Sequence, residues 1–282
     1  MLELTKNLRP ISLITYPNYH KDDYFEEYFF KRFSQEHPTL VLNGYTYIPI
    51  FWTNCYVNKT FGNKFYDIQG VLNKMNHSEK YFSISQHDDC VLETLPENTI
   101  IFSMGGNKVG DNIIPIPLVC SPIKRITNNK DIKISFVGSL THRLRNKLYQ
   151  IYHNDSDFLF KVKNWELNTK EENVQDFINI MSRSKFTLSP RGYGKTSFRM
   201  YESFQLDSVP IYVYDEPWLP WIDEIDWDEL IIKVNETEIP NLKYKVENTD
   251  FNSMINYKNE LYDTYFTYDG IYNNIIKRLK KW

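Results

Sequence analysis

Short apolar runs alternate along this chain with longer stretches whose polarity repeats every three to four positions. In the first half, Ile11–Tyr16, Thr39–Leu42, Tyr45–Phe51, Tyr81–Ser85 and Thr99–Phe102 read as strands, and Tyr24–Phe33 and Phe65–Asn76 as helices. The second half repeats the alternation, with strands at 131–137, 158–162, 185–188, 209–214 and near 229–233, and helices at 142–152, 171–182 and 196–206. Between them Ser121–Lys130 (SPIKRITNNK) is polar, carries Pro122 near its start, and reads as an interdomain linker. Strands that alternate with helices imply parallel sheets covered on both faces. The pattern therefore predicts an α/β chain of two domains, 1–125 and 126–282, as a length of 282 residues also suggests at about 150 per domain. The last thirty or so residues read as one or two helices, with Ile271, Ile275 and Leu279 as an apolar stripe.

One segment carries more chemistry than the rest. From Lys185 to Pro220 the chain reads KFTLSPRGYGKTSFRMYESFQLDSVPIYVYDEPWLP. A strand, a Gly turn with Arg191 and Lys195, and a helix N-terminus in succession make an anion cradle. Free backbone N–H groups and the positive helix end meet at one place. On the helix, Arg199 and Glu202 lie about 60° apart at about 100° per residue, opposite Met200, Tyr201 and Phe204. Arg199 can grip a diphosphate with forked hydrogen bonds. Glu202, acceptor-only when ionised, suits vicinal hydroxyls such as those of a ribose. The plain alternative is an ordinary i,i+3 pair on a solvated helix; following PRGYGKTS, the ligand-facing reading is preferred.

Three patterns compete for this segment. Gly194-Lys195-Thr196 is like the end of a phosphate-binding P-loop, but that loop needs Gly where this chain has Ser189, followed by Pro190. Gly192-x-Gly194-x-x-Ser197 half-matches the dinucleotide fingerprint. The third match is closer. Ser184, Lys185, Phe186, Leu188, Pro190, Gly192, Ser197, Arg199, Glu202, Val209, Pro210 and Asp215 stand at the positions of S-[KR]-F-x-L-x-P-x-G-x-x-x-x-S-x-R-x-x-E and its following strand. LPWIDEIDWDEL, with Pro220 and Trp227, continues it. This resembles the exostosin family of glycosyltransferases, sharply from Met181 to Val234 and loosely back to Ile132. The chain is also similar to the short soluble forms encoded by large algal DNA viruses. The resemblance implies the GT-B architecture, two Rossmann-like domains with mainly parallel sheets and a cleft between them, in which a C-terminal helix often crosses back onto the first domain.

Further residues fall into place under that resemblance. FVGS, ending at Gly138 and Ser139, with Arg145 and Leu148 beyond, resembles the opening of the family's nucleotide domain. It is also a second Gly turn whose cations suit a bound anion better than a helix N-terminus. The resulting donor set is Gly138, Ser139, Arg145, Arg191, Gly192, Tyr193, Lys195, Thr196, Ser197, Arg199 and Glu202. After the strand at Tyr81–Ser85 come His87, Asp88 and Asp89, which resemble the family's His-Asp pair. Asp88 is the candidate base, with a capping role nearly as good a reading; His87, Asp89 and Asp67 are fallbacks. The loop with Gly105 and Gly106 could let backbone approach a sugar or phosphate. Asp155/Asp157 and Asp226/Asp228 have D-x-D spacing but end no apolar strand, so no metal site and no essential divalent cation is expected. Trp218, Trp221 and Trp227 could platform sugar rings, with core burial the better reading for at least two.

Composition bounds the rest. Apolar residues at 41% and aromatics at 16% supply ample core, and a net charge of −3 gives no global field for nucleic acid. No apolar N-terminal leader and no run long enough to span a membrane is present, which points to a cytoplasmic protein. Cys55, Cys90 and Cys120 fit neither a disulfide framework nor a zinc site. The sequons at Asn58, Asn76, Asn154 and Asn235 read as accidents of an Asn-rich chain. No feature fixes an oligomeric state. What the resemblance implies is an inverting, metal-independent transfer from a UDP-sugar, leaning to a pentose such as xylose, to a hydroxyl of a glycan acceptor. The alternatives are a P-loop-like nucleotide-binding protein and a non-catalytic sugar- or nucleotide-binding module.

Overall fold

A computed structural model describes residues 1–13, 24–124, 126, 128–167 and 169–282. They form two compact units: the described residues up to Val119 together with Thr264–Trp282, and Cys120–Asp263. The first unit runs through α1 (Phe25–Glu36), β1 (Val41–Leu42), β2 (Tyr45–Tyr47), α2 (Trp52–Gly62), α3 (Ile68–Leu72), β3 (Lys80–Ser85), β4 (Thr99–Ser103) and β5 (Ile113–Pro115). Its sheet has the order β1-β2-β3-β4-β5 and is parallel except at the β1–β2 hairpin. That hairpin turns on Asn43 and Gly44, both at positive φ (49° and 79°), the Asn-Gly conformation that matches strand twist. The core is aromatic. Phe29 and Phe33 of α1 meet Tyr47 and Phe82 edge-on, with Tyr47 and Phe82 stacked at 5.0 Å.

The second unit holds β6 (Ile132–Gly138), α4 (Arg143–Tyr152), β7 (Phe158–Val162), α5 (Glu171–Arg183), β8 (Ser184–Pro190), α6 (Phe198–Gln205), β9 (Val209–Tyr214), β10 (Ile232–Asn235), α7 (Leu242–Glu247) and α8 (Phe251–Tyr265). All its strand pairs are parallel, in the order β10-β9-β8-β6-β7. The interior strand β9 (VPIYVY) is a nearly continuous buried apolar run, whereas β6 and β8 bury Ser and Thr among their apolar residues and the edge strand β7 ends exposed at Lys161 and Val162. The first and third strands of this unit are neighbours and the winding reverses between them. In such a sheet the crevice beyond the carboxyl ends of those two strands is where a ligand fits. The last helix, α9 (Tyr268–Lys281), belongs to the first unit. Ile271, Ile275 and Leu279 are fully buried there, each contributing about 1.5–3 kcal/mol. The Tyr272 hydroxyl donates to Glu36 at 2.5 Å and Arg32 to Asp269 at 2.6 Å.

The α/β class and parallel sheets agree with the sequence pattern, and several elements differ from it. Of Ile11–Tyr16, residues 11–13 are not strand and 14–16 lie outside the described residues. The strand expected to reach Phe51 stops at Tyr47, and α2 stands where no helix was read. The helix expected over Phe65–Asn76 is only α3, because Asp67 caps it: its Oδ1 accepts from the N–H of Gly70 at 3.0 Å. That cap accounts for Asp67, which leaves the list of possible bases. The short strand β5 and helix α7 also went unread.

Candidate functional site

The switch point of the second sheet gathers the cationic residues that the sequence singled out. Gly138 ends β6 at a φ of +153°, and a Cβ there would stand 2.5 Å from Arg199 Nη2. That nitrogen donates to the carbonyl of Val137 at 2.6 Å, and the guanidinium lies 4.7 Å from the Phe136 ring centre. Arg199 thus reaches from α6 under the end of β6, and only glycine leaves it room. Arg145, from the first turn of α4, spans the two loops: Nε donates to the carbonyl of Arg191 at 3.0 Å and Nη1 to that of Ser139 at 3.1 Å. A Cβ at Gly192 would lie 3.0 Å from Arg145 Nη2, so this glycine also makes room for a guanidinium. Two arginines and two glycine turns therefore converge beyond β6 and β8.

Burial sharpens the roles. Arg199 is 9% exposed and Glu202 is 4% exposed, so the two are not a pair on a solvated helix face. Thr196 is 5% exposed, and its hydroxyl has no hydrogen-bond partner in the protein. A buried hydroxyl in that state calls for a partner that a ligand or water would supply. Ser197 is the N-cap of α6 without capping it through its side chain, and Tyr193 is 70% exposed. The loop cations also carry internal partners: Arg191 bonds Asp215 at 3.0 Å, Arg143 bonds Asp215 at 3.1 Å and also Glu236, and Lys195 pairs with Glu216. Burial pushes the Asp215 carboxyl up, but the Arg191 hydrogen bond and the N–H of Glu216 outweigh it and hold it down at about 2. Asp215 is thus the counter-charge of the cradle, a role the sequence reading did not give it. Its position at the end of an apolar strand was the available signal.

In the first unit, His87, Asp88 and Asp89 form a turn just beyond β3, all partly buried. His87 Nδ1 accepts from the N–H of Asp89 at 3.2 Å, which leaves the neutral ring with its proton on Nε2 and no lone pair to spare. Burial also lowers the His87 pKa, with Asp89 opposing. His87 is therefore poorly arranged as a base. Asp89 Oδ1 accepts from Asn107 Nδ2 at 2.9 Å, which ties that carboxylate to the neighbouring loop. Gly105 serves a different approach from the one expected: a Cβ there would lie 2.2 Å from the carbonyl oxygen of His87 and 2.4 Å from Asp88 Cα. It admits the protein's own turn rather than a sugar. Gly106, at a φ of 92°, lets the loop reverse.

Other sequence candidates resolve into structure. Asp155 and Asp157 precede β7, at the amino edge of the sheet, and bond Lys243 at 2.9 and 3.0 Å. Asp228 bonds Lys233 at 2.8 Å. Among the described residues, no group of three or more His, Cys, Asp and Glu side chains is arranged to hold a metal. Trp218, Trp221 and Trp227 are all buried, so none is a sugar platform. Ser189 and Pro190 lie inside β8, leaving no room for the long loop of a P-loop. Asn58 is buried and donates to the carbonyl of Ile11 and to the Tyr66 hydroxyl, so its sequon is closed to modification in the folded chain. Among the described residues no helix is long and apolar enough to cross a membrane.

Comparison with known proteins converges on the same region. Residues 91–249 match the exostosin GT47 domain, more than half of the 282-residue chain. The exostosin-1 homolog of Caenorhabditis elegans is 25% identical over 161 residues, 50% of this chain and 42% of its own. A probable glucuronosyltransferase of Oryza sativa subsp. japonica is 34% identical over 71 residues, 25% of this chain and 16% of its own. A probable glucuronoxylan glucuronosyltransferase of Arabidopsis thaliana is 30% identical over 91 residues, 32% and 19% respectively. The matched stretches are thus less than half the length of each of these relatives. Among solved structures, TarM aligns over 74% of this chain at 9% identity with a TM-score of 0.42, too weak a likeness to locate any residue. With a family match that begins at Val91, just past the turn after β3, and runs through the whole arginine-lined switch point, the chain belongs to the exostosin GT47 family.

Proposed function

We propose that this chain is an inverting glycosyltransferase that takes a sugar from a UDP-sugar and passes it to a hydroxyl of a glycan acceptor. The observation that carries the proposal is the convergence of Arg145, Arg199, Gly138 and Gly192 at the switch point of the second sheet. A diphosphate needs forked cations beside free backbone N–H groups, and the two glycines support that reading by letting two arginines lie against the turns. Glu202, buried one turn from Arg199, suits the ribose hydroxyls. The buried Thr196 hydroxyl, which has no hydrogen-bond partner in the protein, would bond a further ligand oxygen.

On this reading the departing UDP is stabilised by guanidinium and backbone N–H groups, without an essential divalent cation. Asp88 takes the proton from the acceptor hydroxyl as it attacks the anomeric carbon from the opposite side. Xylose is the favoured donor sugar within the proposal. A cytoplasmic location and the likeness to algal-virus forms belong to it too, on sequence grounds alone. The relatives named as glucuronosyltransferases support a UDP-sugar in general rather than one sugar.

The test is a panel of nucleotide sugars, including UDP-xylose and UDP-glucuronic acid, followed for slow release of UDP, with ATP hydrolysis measured separately. The expected result is UDP release from one or two donors and no ATP turnover. Binding of UDP without release from any donor would support the non-catalytic module instead. ATP turnover alone would sink the proposal.

A further inference from the structure

Glu26 is an enclosed carboxyl that the donor-site chemistry does not use. It stands in the first turn of α1 with its side chain fully buried. Oε1 accepts from the N–H of Gln86 at 2.9 Å and from the Thr53 hydroxyl at 2.8 Å, and Oε2 accepts from the N–H of Thr53 at 3.0 Å. Gln86 returns the contact: its Oε1 accepts from the N–H of Phe25 at 2.8 Å. Thr53 is the second residue of α2, and Gln86 is the first residue beyond β3. One carboxyl therefore ties two helix starts to the exit of a central strand. Each carboxyl oxygen faces a backbone N–H that can only donate, which an acceptor-only carboxylate satisfies at both oxygens and an amide cannot. Burial outweighs these donors and pushes the Glu26 carboxyl up to about 8, so the ionised form that the donor geometry fits is costly to keep in place.

The strand exit that Glu26 holds continues directly into His87 and Asp88. The far side of the same turn is gripped by the next loop, where Gly105 packs on the His87–Asp88 backbone and the N–H of Asn107 donates to the carbonyl of Asp88 at 3.0 Å. We propose that Glu26 is a positioning residue: through Gln86 it fixes the backbone that presents Asp88, and so the geometry of proton removal from the acceptor. This rests on the reading of Asp88 as the base.

Two variants test it, Glu26→Gln and the milder Thr53→Ala, which removes one donor and leaves the carboxyl in place. In Glu26→Gln, hydrogen exchange over Gln86–Cys90 should quicken while exchange in the second unit is unchanged. With a turned-over UDP-sugar as donor, kcat should fall roughly ten- to a hundredfold with donor KM nearly constant, and Thr53→Ala should cost less. In an Asp88→Asn background, Glu26→Gln should remove no further turnover, because it acts through Asp88. Equal losses in both backgrounds would make Glu26 a general stability residue and overturn the proposal, as would unchanged exchange at the turn. If Asp88→Asn keeps its turnover while Glu26→Gln loosens the turn, the base assignment fails and takes the link to proton removal with it.

Discussion

Gly138→Ala is the sharpest probe of the arginine cradle, because it adds one methyl group and removes nothing. The new Cβ would stand 2.5 Å from Arg199 Nη2, well inside contact distance, at a φ of +153° that side-chain-bearing residues rarely adopt. Arg199 cannot simply swing aside. It is buried, its Nη2 is bonded to the carbonyl of Val137 at 2.6 Å, and its guanidinium lies over Phe136. Losing one such charge-assisted bond costs about 1.5–3 kcal/mol, and the backbone strain about 1–3 kcal/mol more. A displaced guanidinium should weaken UDP by a similar 1.5–3 kcal/mol, roughly ten- to a hundredfold or somewhat more in Kd. Titration calorimetry with UDP and thermal unfolding read the two effects separately. Gly192→Ala, whose Cβ would meet Arg145 Nη2 at 3.0 Å, should do less on both counts. In an Arg199→Ala background, where the obstruction is gone, Gly138→Ala should cost UDP affinity almost nothing. Wild-type UDP affinity in Gly138→Ala, or an equal loss in both backgrounds, would refute the reasoning.

Glu202→Ala should weaken UDP and uridine alike, whereas Arg199→Ala should weaken UDP more than uridine; calorimetry with both ligands distinguishes them. Asp88→Asn should lower kcat by roughly 10²–10⁴-fold and leave UDP affinity nearly unchanged, and near-normal turnover would move the base elsewhere. Activity is expected to survive EDTA, and a complete loss restored by Mn²⁺ would overturn metal independence. Asp215 is held at about 2, below its ordinary 3.8, so its contribution to stability is fully present above 3.8 and lost as pH falls through about 2. Asp215→Asn should therefore flatten the melting-temperature curve in that window, and an unaltered curve would show that the Arg191 pair adds nothing.

The second unit was far more legible in the sequence than the first, for a physical reason. β7 and β9 run as read, and β6, α4, α5 and α6 fall within two residues of the expected bounds, because short apolar strands there alternate with amphipathic helices. α2 was hidden because Trp52 through Asn58 are all buried, so the helix has no polar face to betray its period and follows Tyr45–Phe51 like more strand. Phe65 misled in the other direction: it is apolar yet 79% exposed, and the helix begins only after Asp67. In the site, the glycines and arginines were visible because loop chemistry is local. The pairing of Arg191 with Asp215, of Lys195 with Glu216, and the anchoring of Gln86 by Glu26 join residues distant in sequence, and no window reveals them. The tryptophans are all core, one further than the expectation of at least two, because large apolar rings gain most from burial.

The return of α9 to the first unit sets an order of events during synthesis. The second unit lies mainly in Cys120–Asp263, so all its strands are made before α9. The first unit is begun earlier and finished later. Until α9 emerges, Phe29 of α1 lacks Tyr272, whose ring centre lies 5.0 Å away in the finished fold, and Arg32 lacks Asp269. For that interval an aromatic face stands open to water. A nascent chain stalled short of Tyr268 would thus be a chaperone client through α1, although every strand of its second unit has already been made.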